Sequence, residues 1–140
     1  MGVVIWLVAF SCSICALIQA YWFYKWMMKC DEGNEEMRSI ASAVRDGADA
    51  YLRQQYRVVF VVFIAIALLL AVAAYGFDLQ SKFVPIAFLT GGFFSGLSGW
   101  LGMKTATQAS SRTAQAARTS LNQGLRVAFR SGAVLGLTVV

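Results

Sequence analysis

Apolar residues run along this chain in three long blocks, and the polar residues collect between them. No residue is charged from Gly2 to Tyr24, from Val58 to Phe77, or from Phe83 to Met103. Each block is about twenty residues long, which as a helix matches the ~30 Å hydrocarbon core of a bilayer. The blocks are continuous rather than alternating, so they predict helices and not the strands of a membrane barrel. A fourth apolar stretch, VAFRSGAVLGLTVV, starts at Val127 and carries Arg130. The predicted spans are therefore about 2–24, 58–77, 83–103 and 127–140. The last covers only about half a bilayer, and a chain end in mid-bilayer would leave its carbonyls without partners. The expectation is that residues 1–140 form the N-terminal part of a larger transmembrane domain, with the fourth span truncated. A re-entrant or interfacial last helix is the alternative.

The first connection, 25–57, changes the pattern from all-apolar to two-faced. Asn34 is a suitable N-cap, and Glu35 and Glu36 would sit in a first turn, where the helix dipole favours acids. Met37, Ile40, Val44, Ala48 and Tyr51 recur at three- and four-residue steps, which predicts one apolar face. Arg45, Asp49, Arg53 and Arg57 lie four apart and read as a solvated charge ladder. Nothing after Arg57 breaks the helix, so it is expected to continue into the second span, roughly 60 Å in all. Its stripe outside the bilayer needs a cover. The other long connection, 104–126, can supply one, with Ala106, Ala109, Ala114, Ala117, Leu121 and Leu125 at near-helical spacing. That connection has no acid, whereas the first has Asp31, Glu32, Glu35, Glu36, Asp46 and Asp49. The two are expected to pack together, aided by charge.

Charge then orients the spans. The first connection holds Lys25, Lys29, Arg38, Arg45, Arg53 and Arg57; the short FDLQSK turn holds only Lys82; and Lys104, Arg112, Arg118, Arg126 and Arg130 follow the third span. The excess of basic residues places connections 25–57 and 104–126 in the cytoplasm, with the N-terminus and the turn near residue 80 outside. The net charge of +5 would suggest nucleic acid in a soluble chain, but here it is topological, and no nucleic-acid partner is expected. No basic region precedes the first block, so it reads as a retained span rather than a cleaved signal. The composition, 59% hydrophobic with 12 Gly and 1 Pro, fits an all-α polytopic membrane bundle.

Candidate chemistry is sparse. Cys12 and Cys15 form a C-x-x-C within the first span, but the chain has no His and no further ligand beside them, which favours two small residues facing lipid. Cys30 stands alone. Gly92-x-x-x-Gly96 and Ser95, four from both Gly91 and Gly99, give the small-residue pattern of close helix contact in lipid. Arg112, Arg118 and Arg126 are candidates for a phosphate-bearing ligand or acidic lipid, with structural retention and lipid contact favoured. Asp46 and Asp49 are close together but flanked by Arg45 and Arg53. A pump or proton-coupled exporter needs an ionisable group in the membrane, and residues 2–24 contain none. By these residues alone the chain reads as a helical scaffold, a small membrane subunit or adaptor.

Two segments carry a more specific resemblance. GNEEMRSIASAVRDGADAYLRQQYRVV (Gly33 to Val59), with GADAYLRQQY at its centre, resembles the start of the ion-pumping membrane pyrophosphatases. The stretch from Ser95 to Val140, with RTAQAAR (Arg112 to Arg118) and VAFRSGAVLGL (Val127 to Leu137), resembles the next part of the same family. Ser110 and Ser111 depart from its bulkier pair, and Gln54 from its usual basic residue. The resemblance implies a homodimer of about sixteen helices per chain in inner and outer rings, in a prokaryotic cell membrane. It implies hydrolysis of inorganic pyrophosphate at a cytoplasmic Mg²⁺-loaded site, with a K⁺ requirement in some members. Hydrolysis would drive H⁺ or Na⁺ outward. The family's Asp-rich and Lys-containing motifs have no match between Met1 and Val140. No catalytic, cofactor-binding or metal-ligating residue is therefore assigned, and this segment is expected to be outer-ring scaffold in contact with lipid and with the remaining helices of the protein.

Overall fold

The computed structural model describes residues 2–77 and 80–140. It contains four helices: α1 (Gly2–Met28), α2 (Glu35–Tyr75), α3 (Val84–Thr119) and α4 (Leu121–Val139). No strand occurs among the described residues. α1, α2 and α3 are each long and apolar enough to cross a bilayer, by length and composition. The chain divides into two compact units, one made of Met1–Ala48 with Leu101–Val140 and the other of Asp49–Trp100.

Polar side chains in the apolar helices satisfy themselves locally. The Ser11 hydroxyl donates to Leu7 O at 2.8 Å and the Ser13 hydroxyl to Ala9 O at 2.9 Å. Thr90 donates to Ile86 O and Ala87 O. Such i−4 and i−3 bonds are how a hydroxyl survives where water is absent. α1 exposes large apolar side chains all round, Val3, Trp6, Phe10 and Ile18 among them, as a helix solvated by lipid does.

In the first unit α1 packs against α4, around a core of Met27, Ala109 and Val127. Small residues let the helices close up: a Cβ on Gly102 would run into Leu135, and one on Gly124 would lie 2.8 Å from Ala117 Cβ and 3.0 Å from Ala117 Cα. Backbone cannot give way as a side-chain tip can. Gly124→Ala is expected to cost about 1–3 kcal/mol, read as a lower denaturation midpoint of the full-length protein. An unchanged midpoint would mean that α3 and α4 do not meet this closely.

α2 starts as its sequence dictates. Asn34 Oδ1 accepts the Met37 N–H at 3.0 Å, with Glu35 and Glu36 in the first turn, and the helix runs unbroken to Tyr75. The buried stripe is not the expected one. Ala41 and Leu52 are buried and Met37, Arg45 and Ala48 are half-buried, while Ile40, Val44 and Tyr51 stay exposed. The 104–126 connection also differs. Of its expected stripe only Ala109 is buried; Ala106, Ala114, Ala117, Leu121 and Leu125 are exposed. Thr105, Ser111 and Arg112 are buried instead. The helix breaks at Ser120, whose backbone is extended (φ −161°, ψ 132°), so residues on either side no longer share a face.

The second unit holds the later part of α2 and the early part of α3. Phe63 stacks on Phe88 with centroids 4.5 Å apart and lies against Gly92. The Tyr56 hydroxyl donates to Gly96 O at 2.6 Å and approaches the face of Gly99. Of the glycine pattern, Gly92 and Gly99 admit Phe63 and the Tyr56 hydroxyl, whereas a Cβ on Gly91 or Gly96 would meet nothing within 4 Å. Near the expected outer turn Gln80 Nε2 donates to Leu70 O and the Tyr75 hydroxyl to Lys82 O, each at 3.0 Å. Asp78 and Leu79, at the middle of that turn, lie outside the described residues.

Candidate functional site

The densest polar constellation lies where the α1–α2 linker meets α3. Gly33 takes φ +95°, a left-handed conformation that glycine adopts without a Cβ clash, and its N–H bonds to Asp31 Oδ1 at 3.2 Å. This turn presents Asp31 and Glu32 to the helices around them. Arg112, on α3, is only 6% exposed, and its whole fork is used. Nη2 meets Glu32 Oε1 at 2.8 Å, Nε donates to Cys30 O at 3.2 Å, and Nη1 donates to Gln108 O at 2.6 Å. Arg45 Nη1 reaches the same Glu32 oxygen at 3.1 Å, and Arg38 pairs with Asp31 at 3.5 Å. A buried guanidinium persists only when its donors are paired, and the planar fork can serve two carbonyls and a carboxylate at once.

Of the three arginines that the sequence groups as anion-binding candidates, the structure brings Arg112 and Arg126 to one cavity and leaves Arg118 outside its lining. Arg112 is consumed by internal partners. Arg118 is exposed, with Nη1 3.8 Å from Met37 Sδ. Arg126 is exposed and lines a cavity. Arg45 is no rung of a solvated ladder, because Glu32 draws it into the junction; Asp46 and Asp49 remain exposed. The packing of 104–126 against the first connection, aided by charge, is realised by the Glu32–Arg112 pair.

Two features escape the sequence pattern. Arg130 lies over the Trp26 ring with its guanidinium carbon 3.8 Å from the centroid, and 5.7 Å from that of Phe23. Such stacking holds a cation at a membrane edge without an acid. Cys30 is half-buried, and burial pushes its thiol above the usual range, opposed by the positive charges of Arg112 and Arg130. An aromatic two residues ahead of a membrane-edge helix end, facing an arginine on a returning helix, was the only available signal for the first. The second had none.

The junction has no catalytic arrangement of its own. Its carboxylates are turned to arginines, and among the described residues no group of three or more His, Cys, Asp or Glu side chains could hold a metal ion. Cys12 and Cys15 are exposed on α1. What the geometry can do is lock the α1–α2 linker to α3.

Comparison with known proteins adds the wider context. The profile of the inorganic H⁺ pyrophosphatase family matches residues 14–140. A putative K(+)-stimulated pyrophosphate-energized sodium pump of Bacteroides thetaiotaomicron is 62% identical over 139 residues, covering 99% of this chain and 19% of its own length. A K(+)-insensitive pyrophosphate-energized proton pump 2 of Moorella thermoacetica is 44% identical over 91% of this chain and 18% of its own length. A K(+)-insensitive pyrophosphate-energized proton pump of Pyrobaculum aerophilum is 39% identical, with the same two shares. The chain thus spans about a fifth of the length of the curated relatives it matches.

Proposed function

This chain belongs to the inorganic H⁺ pyrophosphatase family, and from that premise we propose that it is a scaffold segment of a pump that hydrolyses pyrophosphate and moves H⁺ or Na⁺ across a membrane. It is a multi-pass integral membrane protein with three helices suited to crossing. The observation that carries the proposal is the family match across residues 14–140. The geometry agrees in kind, since the polar junction fastens helices together and holds no nucleophile poised against a base.

Pyrophosphate hydrolysis in such a pump calls for Mg²⁺, which takes an octahedral set of oxygens, carboxylates among them. The residues present do not fit that group. Asp31 and Glu32 already face arginines, and among the described residues no cluster of acids has ligand spacing. We place the Mg²⁺ ligands of the whole protein outside residues 1–140. The proposed orientation puts the N-terminus outside and the junction of Asp31, Glu32 and Arg112 in the cytosol, as the distribution of Lys and Arg requires. The segment then braces other helices, within a homodimer embedded in lipid. The relative with 62% identity is named as a sodium pump and the others as proton pumps, so ion choice and K⁺ stimulation are arms of the test.

Full-length protein in inverted vesicles is expected to hydrolyse pyrophosphate only with Mg²⁺ and to accumulate Na⁺ or H⁺ inside, assayed with and without K⁺. Residues 1–140 expressed by themselves are expected to hydrolyse none. Hydrolysis by the segment would refute the scaffold role, and ion movement without pyrophosphate would refute the coupling.

A further inference from the structure

The cations of the first unit are not all spoken for. Asp31 takes Arg38, and Glu32 takes Arg45 and Arg112. Around the C-terminal end of α1 there remain Lys25 on α1, Lys29 just beyond it, and Arg126 and Arg130 on α4. Arg126 and Arg130 are four apart and so share a helix face. Arg130 is stacked on Trp26 at 3.8 Å. One turn away, Arg126 lines a cavity of about 440 Å³ together with Trp26, Thr119 and Gln123. Asp31 also borders it, with Oδ1 3.5 Å from Arg38 and 3.2 Å from the Gly33 N, and Arg112 borders it too, so cations outnumber acids on the lining.

The level of this cavity along α1 matters as much as its charge. The charge-free run of α1 ends at Tyr24, so Trp26 stands where hydrocarbon gives way to headgroups, the depth at which tryptophan and basic residues gather. Below it on the same helix, at steps of four, Trp22 is 68% and Ile18 64% exposed. These positions share a face with Trp26 and form an apolar lane leading down from the cavity.

We infer that this cavity binds the phosphodiester of an anionic phospholipid, with Arg126 as its principal cation and the acyl chains lying along Trp22 and Ile18. The guanidinium fork matches two phosphate oxygens, and the Thr119 hydroxyl and Gln123 amide supply hydrogen bonds suited to a headgroup's hydroxyls. An anion here also offsets the local excess of positive charge. The inference needs α1 to cross the bilayer but does not depend on pyrophosphate chemistry, so it can fail while the pump reading stands.

The test is lipid retention by the full-length protein, counted by native mass spectrometry after purification with phosphatidylglycerol or phosphatidylcholine. Wild-type protein is expected to keep phosphatidylglycerol in preference. Arg126→Gln is expected to weaken retention about tenfold, the loss of one charge-assisted contact. Arg126 is exposed, so this variant keeps the fold; Arg118→Gln, outside the cavity lining, is expected to retain lipid as wild type does. Equal retention by Arg126→Gln and wild type would overturn the assignment, as would equal retention of the two lipids. Displacement of phosphatidylglycerol by equimolar inorganic phosphate would also overturn it, marking a site for free phosphate.

Discussion

Replacing Arg112 with alanine is expected to loosen the first unit by about 3 kcal/mol, the scale of breaking a buried ion pair by removing one partner. The reason is what stays behind. Glu32 keeps its charge with Arg45 as its remaining cation, the Cys30 carbonyl loses the Arg112 donor, and the Gln108 carbonyl keeps only its helical bond. Water reaches Glu32, whose side chain is 21% exposed, and this keeps the loss at the lower end of that scale. Cys30 reports the change directly. Its thiol is held above the usual range chiefly by burial, against the pull of Arg112 and Arg130 toward the thiolate. Opening the junction removes the larger effect, so maleimide labelling of Cys30 in the full-length protein is expected to quicken on the order of tenfold. Arg112→Lys is expected to fall between, because an ammonium can reach Glu32 but cannot serve both carbonyls as the fork does. Glu32→Gln combined with Arg112→Met is expected to cost less than Arg112→Ala alone, since both members of the most buried pair go together and Arg45, which loses its partner, is 27% exposed and can be solvated. Wild-type stability and labelling in Arg112→Ala would show that the pair holds nothing together.

This junction also explains why a scaffold segment invests buried charge at all. The linker between α1 and α2 is short and carries both acids that the junction uses. Tying Glu32 to α3 through Arg112, and to α2 through Arg45, fixes how α1 hands over to α2 at the membrane edge. Apolar packing at the same place, around Met27, Ala109 and Val127, closes the helices together but discriminates poorly among rotations about their axes. The hydrogen-bonded fork accepts one arrangement. That gives any helix packed against this segment a fixed surface.

The three helices long and apolar enough to cross a bilayer were legible because lipid imposes an all-or-none demand, the absence of charge over about twenty residues. The Asn34 cap and the run of α2 to Tyr75 were legible for local reasons, a side-chain acceptor and no breaker along the way. The glycine stripe of α3 was legible as a contact, though not its partners Tyr56 and Phe63. Which face of α2 is buried was not legible. Hydrophobicity pointed to Ile40, Val44 and Tyr51, but the linker places Glu32 beside Arg45, and pairing that charge outranked covering three apolar side chains. The break at Ser120 was equally hidden: no proline or glycine marks it, and Ser120 makes no side-chain cap bond. Arg112 carried the right chemistry to bind phosphate, and only its three internal partners, the linker ones some eighty residues away, show that its donors are spent.

The proposed scaffold role in the cytosol depends on which side of the membrane each connection faces, and thiol accessibility reads that directly. In full-length protein whose three native cysteines are replaced by serine, a cysteine is placed at Ser81 or at Arg38, both exposed, and a membrane-impermeant maleimide is applied from one side at a time. The expected result is all-or-none: Ser81→Cys reacts only from outside the cell and Arg38→Cys only from the cytosol. Labelling of Ser81→Cys from the cytosol and not from outside would invert the topology, and with it the cytosolic placement of the Glu32–Arg112 junction.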